Sequence, residues 1–177
     1  EGWLRCCGSV AEACLLDNMP VVTHSGSMSD TNHQSLADEI GKKNAFSSPQ
    51  QEAYLNLART YENLSTKFSH LFKQHGLSAP QYNALRILRG EGRPLQIYQI
   101  AERMITRQTD ITRLIERLEK SDLIKRERCE EDRRVVWITL TPTARRKLKR
   151  LDGPLESLHS QQFQGLSKAE LSQLNQL

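Results

Sequence analysis

From residue 48 onward, apolar residues recur along the chain at the spacing of amphipathic helices. The first such segment carries them mostly three or four positions apart, at Tyr54, Leu57, Ala58, Tyr61, Leu64, Phe68, Leu71 and Phe72. Ser48-Pro49 provides an N-cap and a first-turn proline, Gln51 stands at the capping-box position, and Gly76 favours a C-terminal stop. The pattern predicts a helix of about 25 residues, which is long for a helix buried only within its own domain.

Three shorter helices are predicted next. Ser78 and Gln81 have capping-box spacing at the start of the second helix, and a stretch containing Gly90 and Gly92 ends it. The apolar faces of the second, third and fourth helices are Tyr82, Leu85 and Leu88; Ile97, Ile100, Ala101 and Met104; and Ile111, Leu114, Ile115 and Leu118. Because only a tight turn separates the third and fourth helices, the pair predicts a helix-turn-helix at about residues 96–120.

Two β-rich runs follow the fourth helix. Leu123–Cys129 and Arg133–Leu140 are separated by the acidic tripeptide Glu130-Glu131-Asp132. Runs of this composition with a polar break predict an antiparallel hairpin. A wing is therefore expected at about residues 123–140.

Two more helices are predicted after the wing. Thr141-Pro142 caps the first, which Gly153-Pro154 is expected to kink, and Ser167 begins the second. The order of elements predicts a mainly α fold with a small β-wing, of the α+β class. This is a winged helix-turn-helix with extra helices before it, at about 49–75, and after it, at about 142–177.

Residues 1–48 differ from the rest because they show no sustained helical or strand period. The apolar piece Val10–Leu16 is short and contains Glu12, so it does not have the form of an export signal. We expect residues 1–48 to be a disordered or non-native tail and residues 49–177 to be the folded domain. Residues 1–27 are expected to be non-native or to come from an upstream start, and to contribute nothing to function.

Charge divides the 177-residue chain at the same place. The formal net charge is +4, but residues 1–48 carry three basic and six acidic groups, whereas residues 49–177 carry 22 basic and 15 acidic groups. No apolar run approaches the about 18 residues that span a bilayer, which excludes a membrane protein. Three of the four cysteines crowd at Cys6, Cys7 and Cys14, which excludes a disulfide-stabilised scaffold.

Signatures of catalysis are absent from the sequence. It contains no GxSxG, HExxH, phosphate-binding P-loop or GxGxxG motif. The five histidines have no metal-ligand spacing with one another or with a cysteine. We therefore expect no enzymatic activity, no metal and no cofactor.

The outward face of the fourth helix is a candidate for contact with double-stranded DNA. At about 100° per residue, the arc opposite the apolar stripe holds Thr109, Arg113, Glu116 and Lys120, with Thr112 and Arg117 beside it and Gln108 at its N-terminal end. Arginine can bind guanine through two hydrogen bonds, and threonine can touch the thymine methyl group. A solvated face with an i, i+4 ion pair is the alternative. The helix-turn-helix and the wing favour DNA contact.

Arginines also cluster on the predicted hairpin, at Arg126, Arg128, Arg133 and Arg134. The window from Arg103 to Arg150 contains 15 basic and 8 acidic residues. A thin β-ribbon carrying arginines can enter the minor groove, and Asp132 is placed to brace the guanidinium of Arg134. An edge hairpin protected by charge is the alternative, but it does not explain why the charge lies beside a candidate recognition helix.

Several strings resemble those of the MarR (multiple antibiotic resistance regulator) family. They are Leu77-Ser78-x-Pro80-Gln81-Tyr82-Asn83-Ala84-Leu85, Ile100-Ala101-Glu102-Arg103, the segment from Ile111 to Lys120, and Asp132-Arg133-Arg134 followed after five residues by Leu140-Thr141. The resemblance covers about residues 49–177, and the wing string is its most specific part.

The resemblance implies homodimers, formed by intertwined first and last helices, that bind pseudo-palindromic operators. It implies that Gln108, Thr109, Thr112 and Arg113 lie at the major groove and that Arg133 or Arg134 enters the minor groove. It also implies repression relieved by a small, often phenolic, ligand. The helices that it places around that ligand carry Tyr61, Phe68, Tyr82 and Arg86, which are expected to line the pocket.

The chain departs from the family pattern at two places. Asp122 stands where the family usually has glycine in a left-handed conformation, which Asp tolerates better than most residues. No cysteine lies between residues 49 and 75, so the thiol chemistry of the peroxide-sensing branch is not expected.

The expected function is thus a cytoplasmic, dimeric, sequence-specific DNA-binding regulator, with repression favoured over activation. A winged-helix module for dimerisation or protein docking, with weak non-specific DNA binding, is the alternative. The basic window argues against it. The operator and the effector stay open at this point.

Overall fold

The computed structural model describes residues 35–177, which belong to two units, Glu1–Lys43 and Asn44–Leu177. The expectation for residues 1–27 lies outside the described residues. In the first unit, α1 (Leu36–Glu39) is a single turn capped by Ser35, whose Oγ accepts a hydrogen bond from the Asp38 amide at 3.2 Å. The predicted tail therefore contains a helical turn, which is too short to appear as a period in the sequence.

In the second unit, α2 (Pro49–Gln74) is the long helix that the apolar spacing predicts. The Ser48 Oγ accepts a hydrogen bond from the Gln51 amide at 3.2 Å, as expected of the N-cap. The Gln51 side chain, however, accepts from the Ser47 amide at 2.9 Å, one residue before the cap. Gly76 has φ of 65°, the left-handed conformation that commonly ends a helix.

Three helices follow, and all of them pack into one core. They are α3 (Ala79–Glu91), α4 (Ile97–Glu102) and α5 (Ile111–Lys120). Ser78 and Gln81 form the predicted capping box of α3. α4 and α5 are the two members of the predicted helix-turn-helix.

The wing is an antiparallel pair, β1 (Ile124–Arg128) and β2 (Val136–Leu140), with Ile124 opposite Leu140. The strands are shorter than predicted, because residues 129–135 form the connection between them.

A further piece of extended chain joins β2 from the connection between α3 and α4. The Leu95 amide donates to the Ile138 carbonyl at 3.1 Å, and the Ile138 amide donates to the Leu95 carbonyl at 2.8 Å. Both side chains are fully buried. The wing is therefore attached to the helices through its second strand.

The last two helices are α6 (Pro142–Gln162) and α7 (Lys168–Gln176). α6 continues through Pro154, so this residue does not end the helix. Ser167 and Glu170 form a capping box at α7, and the hydrogen bonds from Ser167 lower the pKa of Glu170.

The core is built from the apolar faces of α3, α4, α5 and α6 and from both strands. α2 contributes only Phe72 to the fully buried set, and α7 contributes none. The mainly α architecture with a small β-wing is the predicted fold class. Among residues 35–177, no helix has the length and apolar character needed to cross a membrane.

Candidate nucleic-acid interface

α5 has one buried face and one exposed face. Its apolar side chains Leu114, Ile115 and Leu118 lie in the core. Asp110 caps its N-terminus, because the Asp110 Oδ1 accepts a hydrogen bond from the Arg113 amide at 2.9 Å. The packed inner face therefore fixes the direction in which the outer face points.

The outer face of α5 carries Thr112, Arg113 and Arg117, three of the predicted contacts, and all three are exposed. The Arg113 Nε lies 3.4 Å from the Asp110 Oδ2, and its side chain is 74% exposed. The Arg117 Nε donates to the Arg113 carbonyl at 3.3 Å. Within residues 35–177 neither guanidinium forms a further hydrogen bond or ion pair, so donors remain for a ligand.

Gln108 and Thr109 precede α5 and do not lie on it. The sequence predicted Thr109 on the helical arc, but the helix begins at Ile111 because the Asp110 cap starts it there. The Gln108 Nε2 donates to the Thr106 carbonyl at 3.3 Å. The structure thus places both residues in the turn that leads into the exposed face of α5.

The tip of the wing is organised by Asp132. The Asp132 Oδ1 accepts a hydrogen bond from the Arg134 amide at 2.9 Å, and the Asp132 carbonyl accepts one from the Val135 amide at 2.9 Å. The carboxylate therefore braces the backbone of the turn, and not the Arg134 guanidinium as predicted, since Asp readily bonds the backbone two residues on. Arg133 and Arg134 are exposed, and neither forms an ion pair with any described residue.

Arg126 has a different role from the other wing arginines. Its Nε lies 3.0 Å from the Glu119 Oε2, and its side chain is only 25% exposed. The pair joins β1 to the last turn of α5. Arg126 thus links the wing to α5 and is not part of the open basic surface.

A second link connects the end of α5 to α6. Asp122 has φ of 53°, so the left-handed conformation expected at this position is confirmed. The Thr141 Oγ1 donates to the Asp122 carbonyl at 2.8 Å and accepts from the Ala144 amide at 3.1 Å. Thr141 therefore caps α6 and ties its first turn to Asp122, two residues after the end of α5.

Several residues that position the interface were not predictable from the sequence pattern or were not among the predicted contacts. Arg103 holds the start of the turn before α5, because its Nε lies 3.0 Å from the Glu91 Oε1 and its Nη1 donates to the Gln99 carbonyl at 2.9 Å. The Arg126–Glu119 pair was missed as well, since nothing local in the sequence joins a strand to a preceding helix. The Asp110 cap had a visible signal, an acidic residue directly before the apolar period.

The residues predicted to line an effector pocket lie on α2 and α3 in different surroundings. Tyr61 is 62% exposed on α2. Arg86 is exposed on α3, and its Nη2 donates to the Asn83 Oδ1 at 3.0 Å. None of the four predicted residues lines either of the two clefts, of about 500 Å³ and 340 Å³, that lie between α2 and α6.

Phe68 and Tyr82 belong to a row of stacked rings between α2 and α3. The ring centroids of Phe72 and Tyr82 are 4.3 Å apart, and those of Phe68 and Phe72 are 6.3 Å apart. Burial raises the pKa of Tyr82, and the nearby arginines partly oppose that rise. These rings pack against the core. The effector pocket at the four residues stays a prediction.

No group of three or more His, Cys, Asp or Glu residues in the described part of the chain is arranged to hold a metal ion. Cys129, which directly follows β1, is half-buried and free.

Known proteins resemble this chain in sequence and in structure. Residues 77–136 match the family model described as MarR family. Over 157 residues the chain is 24% identical to the HTH-type transcriptional repressor IacR of Pseudomonas putida, covering 85% of this chain and 93% of that protein.

Solved structures are similar to this chain as well. The crystal structure of a MarR transcription factor from Planctomyces limnophilus is 41% identical, with a TM-score of 0.60, and the match covers 75% of this chain and 96% of that one. A structure of Bordetella bronchiseptica BpsR, solved to explain regulation of its DNA binding by 6-hydroxynicotinic acid, is 26% identical, with a TM-score of 0.64 and coverage of 74% and 92%.

Proposed function

The chain belongs to the MarR family of transcriptional regulators, and on this basis we propose that it is a cytoplasmic, homodimeric repressor that binds a pseudo-palindromic operator. Members of the family are DNA-binding regulators, not enzymes. We further propose that a small aromatic effector releases the repressor from its operator.

The observation that carries the proposal is the exposed basic surface formed by α5 and the tip of the wing. The recognition helix presents Thr112, Arg113 and Arg117 from a packed inner face. The wing turn presents Arg133 and Arg134 from a hydrogen-bonded backbone. A rigid helix for the major groove and an arginine-bearing ribbon for the minor groove suit double-stranded DNA.

The two contacts have different chemistry. On α5, the Arg113 guanidinium can take a guanine edge through two hydrogen bonds, and Thr112 can contact a thymine methyl group. Gln108 and Thr109, in the preceding turn, extend the same surface. At the wing, arginine is attracted by the strong negative potential of a narrow minor groove. We therefore expect α5 to recognise the bases and the wing to supply much of the affinity for DNA.

Dimerisation is proposed from the apolar side chains that α2 exposes. Tyr54, Leu57 and Tyr61 recur at helical spacing and are 70%, 68% and 62% exposed. α7 adds Leu174, which is 49% exposed. Apolar stripes of this kind are normally covered by a partner, and a second copy places two recognition helices on one face of the DNA, about 34–36 Å apart.

Repression and effector release are supported by relatives. IacR is named as a transcriptional repressor, and BpsR has its DNA binding regulated by 6-hydroxynicotinic acid. Both resemble this chain over most of its length. We therefore propose that an aromatic acid or phenol is the effector, and that Tyr61, Phe68, Tyr82 and Arg86 are the family-based candidates for contacting it.

The experiment that tests the proposal begins with selection of bound sequences from a pool of random double-stranded DNA. Affinities for the selected operator and for an unrelated duplex are then measured by fluorescence anisotropy across a range of salt. Arg113→Ala is expected to weaken operator binding by about 1–3 kcal/mol and to relax the base preference. Arg133→Ala with Arg134→Ala is expected to weaken binding to both duplexes and to flatten the salt dependence.

The matched control is Arg113→Lys, which keeps the charge but cannot make the bidentate contact. It is expected to retain binding to the unrelated duplex while losing preference for the operator. If the wild-type chain shows no preferred sequence and loses all binding at moderate salt, the docking-module alternative replaces the proposal. Unchanged affinity in both arginine variants removes the helix and wing assignments.

A further inference from the structure

The groove between α2 and α6 is not part of the proposed DNA-binding surface. Its two clefts, of about 500 Å³ and 340 Å³, share Gln74 as a lining residue, and no residue of α3 lines either one. Asp152 of α6 pairs with Arg89 of α3 at 2.9 Å. Residues two apart on a helix are about 200° apart, so Arg150, which lines the groove, lies on nearly the opposite side of α6 from α3. We name this surface the α2–α6 groove.

One half of the groove is basic. Arg146 and Arg150 stand at i, i+4 and line it together with Lys147 and His75. The Lys147 Nζ donates to the His75 carbonyl at 3.0 Å, so this cation is already held by the C-terminus of α2. The Arg146 Nη2 donates to the Thr143 Oγ1 at 3.3 Å, and the rest of the Arg146 guanidinium and all of the Arg150 guanidinium have no partner among residues 35–177.

This positive charge is not balanced by the groove itself. Five cations occur between Arg145 and Arg150, with no acidic residue among them. No Asp or Glu lines either cleft. Two carboxylates accept hydrogen bonds from threonines that line the groove: the Asp122 Oδ2 from the Thr143 Oγ1 and the Glu62 Oε1 from the Thr66 Oγ1, both at 3.4 Å. Glu62 borders the other half of the groove, so it does not balance the two arginines. Because like charges at i, i+4 destabilise a helix, a bound anion would stabilise the first turns of α6.

The other half of the groove has an apolar floor. Leu71, Pro154 and Leu158 line it, with Ser157 and Gln161 as uncharged polar residues. Lys67 and His70 also line this half. The combined groove is within the size range of small-molecule sites, and both of its arginines lie at one end. A ligand with an apolar body and an anionic group at one end matches the apolar side chains of one half and the arginines of the other.

We propose that the α2–α6 groove binds an amphipathic organic anion. Its carboxylate, sulfonate or phosphate lies between Arg146 and Arg150, and its apolar body lies on Leu71, Pro154 and Leu158. An effect of this ligand on operator binding rests on the proposed function. The occupied turns of α6 include Thr143, two residues from the Thr141 bond that joins α6 to the end of the recognition helix.

The test uses the full chain and two probes that share an aromatic body. 1-Anilinonaphthalene-8-sulfonate carries an anionic group, and N-phenyl-1-naphthylamine does not. Fluorescence titration without DNA is expected to show saturable binding of the sulfonate, at one site per chain, and binding of the neutral probe at least tenfold weaker. Arg146→Gln with Arg150→Gln is expected to lower the sulfonate affinity at least tenfold, and Leu158→Gln at least threefold.

The control variant, Arg145→Gln with Lys149→Gln, removes the same charge from the same helix outside the groove, and the sulfonate affinity should stay within twofold. Arg86→Gln reports on the family-based pocket, because it lowers the sulfonate affinity only if the probe binds there and not in the groove. Circular dichroism confirms that each variant folds. Equal losses in the groove and control variants, or a loss in Arg86→Gln alone, would overturn the proposal.

Binding to the operator separates this site from a DNA contact. If the groove variant keeps its sulfonate affinity but binds DNA more weakly with a reduced salt slope, the two arginines bind backbone phosphate and the proposal is wrong. Because the probe titration contains no DNA, it can succeed where the operator experiments fail. A failure of the titration likewise leaves the proposed DNA-binding function standing.

Discussion

The winged-helix lobe and the long helix α2 are both amphipathic, but they bury their apolar residues very differently. In the lobe, from α3 to β2, side chains such as Leu85, Leu95 and Ile138 are fully buried. α2 is twice as long as α3, at 26 against 13 residues, yet only Phe72 of α2 is buried. Its N-terminal half exposes Leu57 and its neighbours.

The difference shows that a single chain buries the apolar side chains of the lobe but leaves those of α2 exposed. The lobe closes its core within a single copy through the strand bond of Leu95 to Ile138 and the links at Thr141 and Arg126. The apolar stripe of α2 finds no such cover in the described residues of its own unit. Substitutions in the lobe should therefore affect folding, and substitutions on α2 should affect assembly.

The largest expected effect is in the lobe core. Leu118→Ala removes a fully buried side chain of α5, and such a cavity costs about 2–5 kcal/mol in the free energy of unfolding. Urea denaturation followed by circular dichroism measures it. Leu57→Ala, the same change on the exposed stripe of α2, is the control. A similar loss for both variants, measured where the protein is monomeric, would remove the distinction between the two regions.

The second prediction addresses the stripe on α2. Leu57→Glu with Tyr61→Glu is expected to raise the dimer dissociation constant at least ~100-fold, about 2.7 kcal/mol, because two charges would be buried in the interface. Sedimentation equilibrium measures the constant, and the circular dichroism spectrum should stay unchanged. Asn56→Glu with Thr60→Glu adds the same charge on the neighbouring polar positions. A dimer that is equally weakened by both pairs, or by neither, contradicts the assignment.

The third prediction concerns the link between the lobe and α6. Thr141→Val keeps the shape but removes the N-cap and the bond to the Asp122 carbonyl, and we expect a loss of about 1–2 kcal/mol in unfolding free energy. Thr139→Val, on β2, is the comparison. The denaturation midpoint of the first variant should fall clearly below that of the second. Equal midpoints would mean that this link does not stabilise the lobe.

The smallest effect is expected at the wing tip. Asp132→Ala removes the bond to the Arg134 amide, so the turn samples more conformations before it enters the groove. Operator affinity is expected to fall about threefold to tenfold, with unfolding free energy within about 0.5 kcal/mol of wild type. Glu131→Ala, at the same exposed tip, should not weaken binding. A wild-type affinity for Asp132→Ala would leave the turn without a role in DNA contact.

Much of the fold was predictable because its signals are local. The long period of α2, the capping boxes of α3 and α7 and the short helices around the turn are each set by residues a few positions apart. Thr109 and the wing strands are the places where a local hydrogen bond overrides the periodic pattern. The Asp110 cap moved the start of α5, and the Asp132 turn took residues that strand propensity had assigned to β2, because local side-chain hydrogen bonds compete with regular structure.

The order of elements from α2 onward, the fold class and the exposed positions on α5 follow from the sequence, because helical period and caps act over a few residues. Which charged side chains stay without an ion-pair partner depends on the tertiary structure. It paired Arg126 with Glu119, turned Asp132 to the backbone and left Arg146 and Arg150 facing a groove without a carboxylate. Ion pairs and clefts depend on residues that are far apart in the chain, and their distances exist only once the core has formed.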